Sequence, residues 1–530
     1  MPEFLYDHFS EFLGGYMFVA LGLMIFTGLP VAVSIGGIAL LFGTIGVYFD
    51  LMSFGEFFIV MPRIWGGDGS SGAVQNPILV AIPCFVFMGT MLERSRVAAD
   101  LLHILQIMLK RVPGGLAMSV TVMGTIMAAT TGIIGASVVM MTLLALPTML
   151  ARGYNTPLAT GTLAASATLG ILIPPSIMLV LMANLLAVSV GNLFIGAIFP
   201  GLILSGIYMV YILAISTVKR DWAPPLPDDA IVLEPSSMKR VRNYLLVIVG
   251  LVVGAAVLLN SPAADLVNWK VTAFLAIFVA SMAFGRREGD SYFGAVLRGF
   301  IPPIFLIILV LGSIFAGWAT PTEAAGVGAF GSIVLAAFNG TLTKEVITDV
   351  VNRTTLTTAM IFFIFAAATT FSYIFRALYG EDLILEFIAW LDFGTWGLLF
   401  LLMFVIFILG FFFDWLEITL IILPVFAPVV RLMAPEMAVH IGITDLVLKA
   451  QEIQTIYWFA ILAAINLQTS FLTPPFGFAL FYMKGVSPPS VKMQDIYKGI
   501  IPFVGLQLIG LSLVVYYPQI ALWLPNQLLD

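Results

Sequence analysis

The sequence has few of the residues from which proteins build catalytic and metal sites. Of its 530 residues only Cys84 is a cysteine, and the three histidines are scattered. A single cysteine excludes an intramolecular disulfide, a cysteine-based zinc site and an iron–sulfur cluster within this chain. Walker, GxSxG and HExxH motifs are also absent, which excludes ATP hydrolysis and disfavours an enzyme. We therefore expect no catalytic residue, no cofactor and no transition-metal site.

Charged residues are also scarce, at 10%, while 61% of the residues are hydrophobic. A soluble protein has about 25% charged and roughly 45–50% apolar residues. The composition predicts a polytopic membrane protein, because a spanning helix needs about 20 apolar residues and about a dozen stretches qualify. The apolar runs are continuous, which favours helices over a transmembrane barrel. The net charge of −6 comes without a basic patch, so no nucleic acid partner is expected.

Basic residues divide the chain into three parts. Lys219, Arg220 and their neighbours mark a polar loop, and a second basic group ends at Arg298. The positive-inside rule places both in the cytoplasm, with two additional apparent spans between residues 244 and 284. We predict a first half over 1–218, a basic segment with these spans over 219–298, and a second half over 299–530.

Each half contains a Leu-Pro motif followed by a double proline. TLLALP ends at Pro147 and precedes Pro174-Pro175, and TLIILP ends at Pro424 and precedes Pro474-Pro475. A double proline removes two backbone donors and breaks a spanning helix. Broken apolar segments at matching places predict two structural repeats with an ion or substrate site near the middle of the membrane.

The spacing of the motifs predicts an insertion in the second repeat. The Leu-Pro motifs are 277 residues apart, an offset that also aligns Ser137 with Asp414. The double prolines are 300 residues apart, so the second copy has 23 additional residues, which residues 434–456 can supply. This stretch is either an amphipathic helix at the membrane interface or a solvated loop.

Asp414 is the most informative candidate residue. A carboxylate in an apolar segment is costly and is expected to hold a cation or a substrate, unless it lies at a helix end in the interface. Glu417, one turn later, is expected to be an interfacial charge. Unwound carbonyls at the two breaks suit Na⁺. The sequence has no evident chain of acidic residues and histidines that could relay a proton, which favours Na⁺ over H⁺ as the coupling ion.

Hydroxyls and helix ends complete the predicted site. Thr320 and Glu323 predict a capping box whose helix N-terminus could also receive an anion. The glycines near residue 132 either shape a site or only allow close helix packing. The candidate substrate-binding residues are Ser137, Ser176, Thr320, Thr322, Asp414 and Thr473. The candidate Na⁺ site, built largely from backbone carbonyls, comprises Gly132, Gly135, Ile173, Pro174, Gly410, Asp414, Thr473 and Pro474.

The chain resembles the large membrane subunit of tripartite ATP-independent periplasmic (TRAP) transporters. The resemblance rests on residues 132–137, on ALP at 145–147 and RGY at 152–154, and on LGILIPPS at 169–176, GWATPTEAA at 317–325 and LTPPFG at 472–477. Residues 76–85 resemble the family's first re-entrant hairpin. The resemblance implies an all-α elevator-type transporter with re-entrant hairpins, a scaffold and a transport domain.

The resemblance also implies partners and a driving force. Such subunits lie in the bacterial inner membrane and import a carboxylate-bearing organic acid with a Na⁺ gradient. They act with a small four-helix membrane subunit, here expected to be separate, and with a soluble periplasmic binding protein. The alternative is a stand-alone Na⁺- or H⁺-coupled carboxylate transporter of related architecture. A channel is disfavoured by two broken repeats in one chain.

Overall fold

The described part of the chain is built from helices. The computed structural model describes residues 12–66, 72–131, 134–225, 291–474 and 477–528, with short pieces between 242 and 285. Within these residues ten helical segments are long and apolar enough to cross a membrane. Helices satisfy their backbone hydrogen bonds internally, as hydrocarbon surroundings require. The predicted all-α polytopic membrane fold is confirmed.

The described residues of the first half form helices α1 to α11. Their bounds are α1 Leu13–Ile25, α2 Val31–Tyr48, α3 Phe54–Phe58, α4 Val60–Trp65, α5 Ala81–Arg94, α6 Val97–Met108, α7 Gly115–Thr131, α8 Ile134–Ala151, α9 Thr156–Thr168, α10 Ile177–Leu185 and α11 Val190–Val218. Short 3-10 turns lie at Ala73–Gln75, Pro77–Val80 and Leu169–Ile171.

The second half continues with helices α12 to α23. Their bounds are α12 Tyr292–Gly299, α13 Ile301–Phe315, α14 Pro321–Phe338, α15 Lys344–Ala377, α16 Gly380–Leu391, α17 Thr395–Leu409, α18 Trp415–Glu417, α19 Leu423–Ile441, α20 Leu448–Leu472, α21 Phe478–Val486, α22 Met493–Tyr516 and α23 Gln519–Leu528. A π-helical turn, Ile418–Ile422, joins α18 to α19.

Apart from α3 and α4, which lie only in the first copy, the main helices occur twice in the same order, which confirms the predicted repeat. The helix pairs α1–α2 and α13–α14 are joined through Gly28 and Gly317, whose φ angles are 79° and 68°. Glycine adopts this left-handed conformation at little cost and commonly ends helices. A helix then passes into a 12-residue helix through a left-handed residue, Arg96 between α5 and α6 and Tyr379 between α15 and α16. A hairpin, a broken helix and a spanning helix follow in both copies.

Each repeat contains a helical hairpin. In the first hairpin α8 packs along α7. Gly124 of α7 faces Met141 of α8, and a Cβ on Gly124 would lie 3.1 Å from the Met141 Cε. The second hairpin is made by α17 and the α18–α19 arm. Its open end is closed by Trp396 and His440, whose ring centroids are 4.7 Å apart.

Two expectations about local structure are wrong. Residues 76–85 do not form a hairpin but begin one helical segment, Pro77–Arg94. Asn76 caps this segment, since its Oδ1 accepts from the Ile78 N–H at 3.0 Å. Residues 434–456 form neither an interfacial helix nor a long loop, because most of them extend α19 and α20. The predicted insertion would therefore lengthen the open end of the second hairpin and the helix that follows it.

The two repeats interlock instead of lying side by side. Helix α2 packs on α15 and α5 on α14, while α9 packs on α22 and α11 on α20. Each hairpin also packs on the half-helix of the other repeat, α8 on α21 and the π-turn on α10. In α20 every residue from Thr455 to Leu472 is buried. The broken helices thus lie at the centre, where protein shields their irregular backbone from lipid.

The two additional spans predicted between residues 244 and 284 lie mostly outside the described residues. Tyr244 is described, and its hydroxyl oxygen is 2.6 Å from that of Ser281. Its ring centroid is 4.9 Å from that of Phe284. The start of the first of these segments and the end of the second therefore lie together. The boundaries of the 219–298 segment stay a prediction.

Candidate functional site

The helix that begins with α9 is broken before α10. The Pro174-Pro175 pair, joined by a cis peptide, supplies no N–H, so regular helix resumes only at Ile177. Ser176 bridges the break, because its Oγ donates to the Ile171 carbonyl at 2.6 Å and accepts from the Leu179 N–H at 3.5 Å. The Ser176 hydroxyl is buried and used within the fold, so its contact with substrate stays a prediction.

Helix α20 is broken in the same way at Thr473. The Thr473 backbone is extended, its Oγ1 donates to the Thr469 carbonyl at 2.7 Å, and its N–H donates to the Ser470 carbonyl at 3.2 Å. Pro474 follows, and α21 begins at Phe478. The last carbonyls of a helix lack intrahelical partners, so such a break offers oxygen atoms to a cation.

The turn of the second hairpin lies directly on the end of α20. A Cβ on Gly410 would lie 2.1 Å from Ser470 Oγ and 2.4 Å from Ser470 Cβ, so only glycine permits this approach. One turn earlier, Asn466 Nδ2 donates to the Met403 carbonyl of α17 at 2.6 Å. These contacts hold Gly410 within one helical turn of Thr473. Gly410 and Thr473 of the predicted Na⁺ site therefore belong to two segments that are in contact.

Two carboxylates begin the return arm of this hairpin. Asp414 is the N-cap of α18, and its Oδ1 accepts from the Trp415 N–H at 2.8 Å. Glu417 is only 6% exposed, and its Oε2 is buried with no hydrogen-bond partner among the described residues. The expectation that Glu417 is an interfacial charge is therefore wrong. Asp414 is half-buried and Glu417 is buried, and carboxylates in such surroundings are costly, so this pair marks a functional region.

Tyr482 of α21 connects the two hairpins. A Cβ on Gly135, at the start of α8, would lie 3.1 Å from Cε2 and Cζ of the Tyr482 ring. The phenol also lies within electrostatic range of Asp414 and Glu417. Tyr482 is 48% exposed, so part of it remains available to a ligand. Tyr482 is not among the residues predicted from the sequence, although a phenol in an apolar half-helix just past a double proline was a usable signal.

Ser137 and Asp414 do not occupy equivalent places, although the 277-residue offset aligns them. Ser137 is buried inside α8, whereas Asp414 precedes the first residue of α18. Five residues separate α17 from α18, and only two separate α7 from α8. The offset does hold at Thr142 and Thr419, which are both buried with no partner for Oγ1 among the described residues.

The predicted capping box at the start of α14 is confirmed. Thr320 Oγ1 accepts from the Glu323 N–H at 3.3 Å, and the Thr320 N–H donates to Glu323 Oε2 at 2.8 Å. The Glu323 carboxylate thus already occupies the helix end that the sequence offered to an anion. Thr322 Oγ1 donates to the Pro77 carbonyl at 2.9 Å, which fixes α14 beside the Pro77–Val80 turn. Substrate contact by these threonines stays a prediction.

The remaining candidates for the Na⁺ site lie either in the first break or outside the described residues. Ile173 and Pro174 are buried in the first break, and Gly132 lies outside the described residues. Taken together, the second break and the hairpin turn present carbonyls, hydroxyls and a carboxylate, the hard oxygen ligands that alkali cations prefer. The arrangement suits binding of a cation and a polar solute.

A family model described as "Tripartite ATP-independent periplasmic transporter, DctM component" matches residues 18–520. The C4-dicarboxylate TRAP transporter large permease protein DctM of Vibrio cholerae is 25% identical over 96% of this chain and 97% of the relative. The ectoine/5-hydroxyectoine TRAP transporter large permease protein UehC of Ruegeria pomeroyi is 24% identical, with 85% and 86% covered. The isethionate TRAP transporter permease protein DctMQ of Oleidesulfovibrio alaskensis is 25% identical, with 98% and 67% covered.

A solved structure has a similar fold. The YdaH transporter of Alcanivorax borkumensis superposes with a TM-score of 0.51 and 14% sequence identity, covering 89% of this chain and 88% of that one. Identity this low makes the likeness an argument about the fold alone.

Proposed function

The chain belongs to the DctM component family of tripartite ATP-independent periplasmic transporters, and we propose that it imports a carboxylate-bearing organic acid with the energy of a Na⁺ gradient. It is a large permease subunit, a multi-pass protein of the inner membrane and not an enzyme. Relatives named for C4-dicarboxylates, ectoine and isethionate support a small organic acid as the substrate.

The contact between Gly410 and Ser470 carries the proposal of Na⁺ coupling. It joins the turn of the second hairpin to the last turn before the second break. Na⁺ bound to carbonyls of both segments would fix the hairpin on α20, and the hairpin would loosen when Na⁺ leaves. An ion can shift a conformational equilibrium only when it binds one state more tightly, and a site shared by two segments meets that condition.

We place the substrate between the two hairpins. Gly135 of the first hairpin contacts the Tyr482 ring, and Asp414 of the second hairpin lies within electrostatic range of it, so a solute bound there would lie between the two hairpins. The Tyr482 hydroxyl can donate to a carboxylate oxygen, while Asp414 can accept from a hydroxyl or ammonium group of the same solute. Ser137, Ser176 and Thr473 lie along the segments that border this region.

The packing of the helices supports an elevator mechanism. Helices α2, α5, α14 and α15 pair across the repeats and would form the scaffold. The hairpins pack on the broken helices and would form the transport domain. Since each hairpin is fixed to the other repeat's half-helix, the two hairpins would move together with the substrate.

We further propose two protein partners. One is a small four-helix membrane subunit, and the matched DctMQ permease, whose name joins the two components, supports such a pairing. A periplasmic binding protein would deliver the acid. The second candidate is a stand-alone carboxylate transporter, which would need no binding protein.

Uptake by proteoliposomes tests the proposal. The chain would be reconstituted with its small subunit, and uptake of radiolabelled succinate, isethionate and ectoine would be measured with and without an inward Na⁺ gradient. We expect succinate or ectoine, which carry carboxylates, to accumulate only when both Na⁺ and the cognate binding protein are present. Isethionate carries a sulfonate, so its accumulation alone would reject the carboxylate as the substrate group. Accumulation without the binding protein would favour the stand-alone alternative, and accumulation without Na⁺ would reject the coupling.

A further inference from the structure

We propose that a cavity between α4, α15 and the second hairpin binds the carboxylate of the incoming organic acid, which assigns Arg63 a role in substrate capture. The inference rests on the proposed function for the class of substrate. The cavity has a volume of about 170 Å³, and its lining includes Arg63, Thr369, Ser372, Tyr373, Arg376 and Pro424. At roughly 30 Å³ per water molecule, this is room for a carboxylate and a few carbon atoms.

Arg63 is the cation with unused binding capacity in this cavity. Its guanidinium lies over the Tyr373 ring, 4.7 Å from the centroid. Within the described part of the chain, the ion pairs involve other arginines and none engages Arg63. Arg376, in contrast, pairs with Glu381 at 2.8 Å. A planar guanidinium held on an aromatic ring can bind a carboxylate through two parallel hydrogen bonds.

The fold holds the Arg63 region in place. Ser53 and Glu56 form a capping box at the start of α3, where the Ser53 N–H donates to Glu56 Oε2 at 2.7 Å. The Glu56 carboxylate is thereby engaged in its own helix cap. The Tyr373 hydroxyl donates to the Glu56 carbonyl at 2.9 Å and so ties α3 to α15. The short helices that carry Arg63 are therefore prearranged, which lowers the entropic cost of binding an anion.

The cavity lies on the periplasmic side. Helix α11 ends beside Lys219 and Arg220, which the positive-inside rule places in the cytoplasm. Its 29 residues span roughly 43 Å at about 1.5 Å per residue, enough to cross the membrane. Leu185 precedes the start of α11 by a few residues and lines the cavity. An acid released by a periplasmic binding protein would therefore meet this cavity from the correct side.

The opposite wall of the cavity belongs to the second hairpin. Leu420 lies in the π-turn and Pro424 in the first turn of α19, and both line the cavity with Arg63. An acid held by Arg63 would lie against the arm that leads to Asp414. The cavity would capture the carboxylate before the hairpin turns enclose the solute.

Substituting Arg63 tests the site. We compare the wild type with Arg63→Gln, Arg63→Lys and a control, Arg431→Gln, which removes an exposed cation from α19. The readouts are thermal stabilisation by NaCl, and by succinate, isethionate or ectoine, and the KM and kcat for whichever acid is taken up. We expect Arg63→Gln to raise KM at least tenfold while kcat stays within twofold of the wild type. The KM of Arg63→Lys should lie between those of Arg63→Gln and the wild type. Arg431→Gln should match the wild type.

The possible outcomes separate this inference from the proposed function. A KM for Arg63→Gln within twofold of the wild type, or an equal rise in Arg431→Gln, overturns the site. Loss of the NaCl stabilisation in Arg63→Gln would make Arg63 a structural residue and would also overturn it. Stabilisation of the wild type by NaCl but by none of the acids overturns the anion site alone. Acid binding that needs Arg63, with no response to Na⁺, keeps the site and rejects the Na⁺ coupling.

Discussion

Gly410 lies so close to Ser470 that a Cβ on Gly410 would stand 2.1 Å from the Ser470 Oγ. Gly410 ends the first arm of the second hairpin, and Ser470 belongs to the last turn before the second break. The contact makes one structural unit of two segments that are distant in the sequence. It is also the place where we propose that Na⁺ couples the hairpin to the broken helix.

Gly410→Ala should therefore separate the hairpin turn from α20. Overpacking of a tight contact typically costs about 1–3 kcal/mol. We expect at least a tenfold loss of Na⁺ affinity, measured as the NaCl dependence of the melting temperature. Gly505→Ala is the matched control, because nothing lies within 4 Å of a Cβ on Gly505. Since the clash is with Ser470, Gly410→Ala with Ser470→Gly should recover part of the loss, and no recovery would argue against the contact.

Asp414→Ala should abolish uptake while the protein still inserts in the membrane. The substitution removes a partly buried carboxylate and a helix cap, and losing such a cap costs about 1 kcal/mol, which the fold can tolerate. Size-exclusion chromatography would verify folding, and proteoliposome uptake would report function. Asp414→Asn keeps the cap and isolates the charge. Near-normal uptake by either variant would reject the role that we give to Asp414.

Tyr482→Phe should weaken binding of the acid, and Tyr482→Ala should weaken it further. The phenylalanine variant keeps the ring that packs on Gly135 and removes only the hydroxyl. A hydrogen bond from this hydroxyl to the substrate carboxylate would be worth about 1 kcal/mol. We expect KM to rise about fivefold in Tyr482→Phe and more in Tyr482→Ala. Wild-type KM in both variants would place the substrate elsewhere.

Protonation of Glu56 should open the capping box that supports Arg63, and this should happen only at low pH. The Ser53 backbone N–H that donates to Glu56 lowers the pKa of the Glu56 carboxyl below its usual value. A lowered pKa means that the cap contributes stability above the ordinary Glu range, near pH 4.3, and loses it as pH falls through the lowered value. Glu56→Ala has no acceptor for the Ser53 N–H, so it should raise KM for the organic acid at neutral pH. Wild-type KM in Glu56→Ala from pH 5 to pH 7 would reject this support.

The positions of the helix breaks and of the helix cap were largely predictable from the sequence, because the residues that cause them act locally. Pro174 and Pro474 remove hydrogen-bond donors wherever they stand, so both breaks lie where the sequence places them. The capping box at Thr320 needs only residues three apart, and it formed as expected. Such features depend on neighbours in the chain and on little else.

The arrangement of the site could not be read in the same way. Tyr482 gains its place from Gly135, which belongs to the other repeat, and no local pattern encodes that contact. The pairing of Ser137 with Asp414 failed because the hairpin turns differ in length. Residues 434–456 carry polar side chains, yet most of them lengthen helices whose buried faces their apolar neighbours provide.

The most direct test of Na⁺-driven import is the uptake of acid into proteoliposomes when the Na⁺ gradient is collapsed. Liposomes containing this chain and its small subunit would receive the loaded binding protein, and uptake would be followed with and without a Na⁺ ionophore. We predict accumulation above the external concentration that falls to equilibration once the gradient is gone. Accumulation that continues unchanged without a Na⁺ gradient would contradict the account.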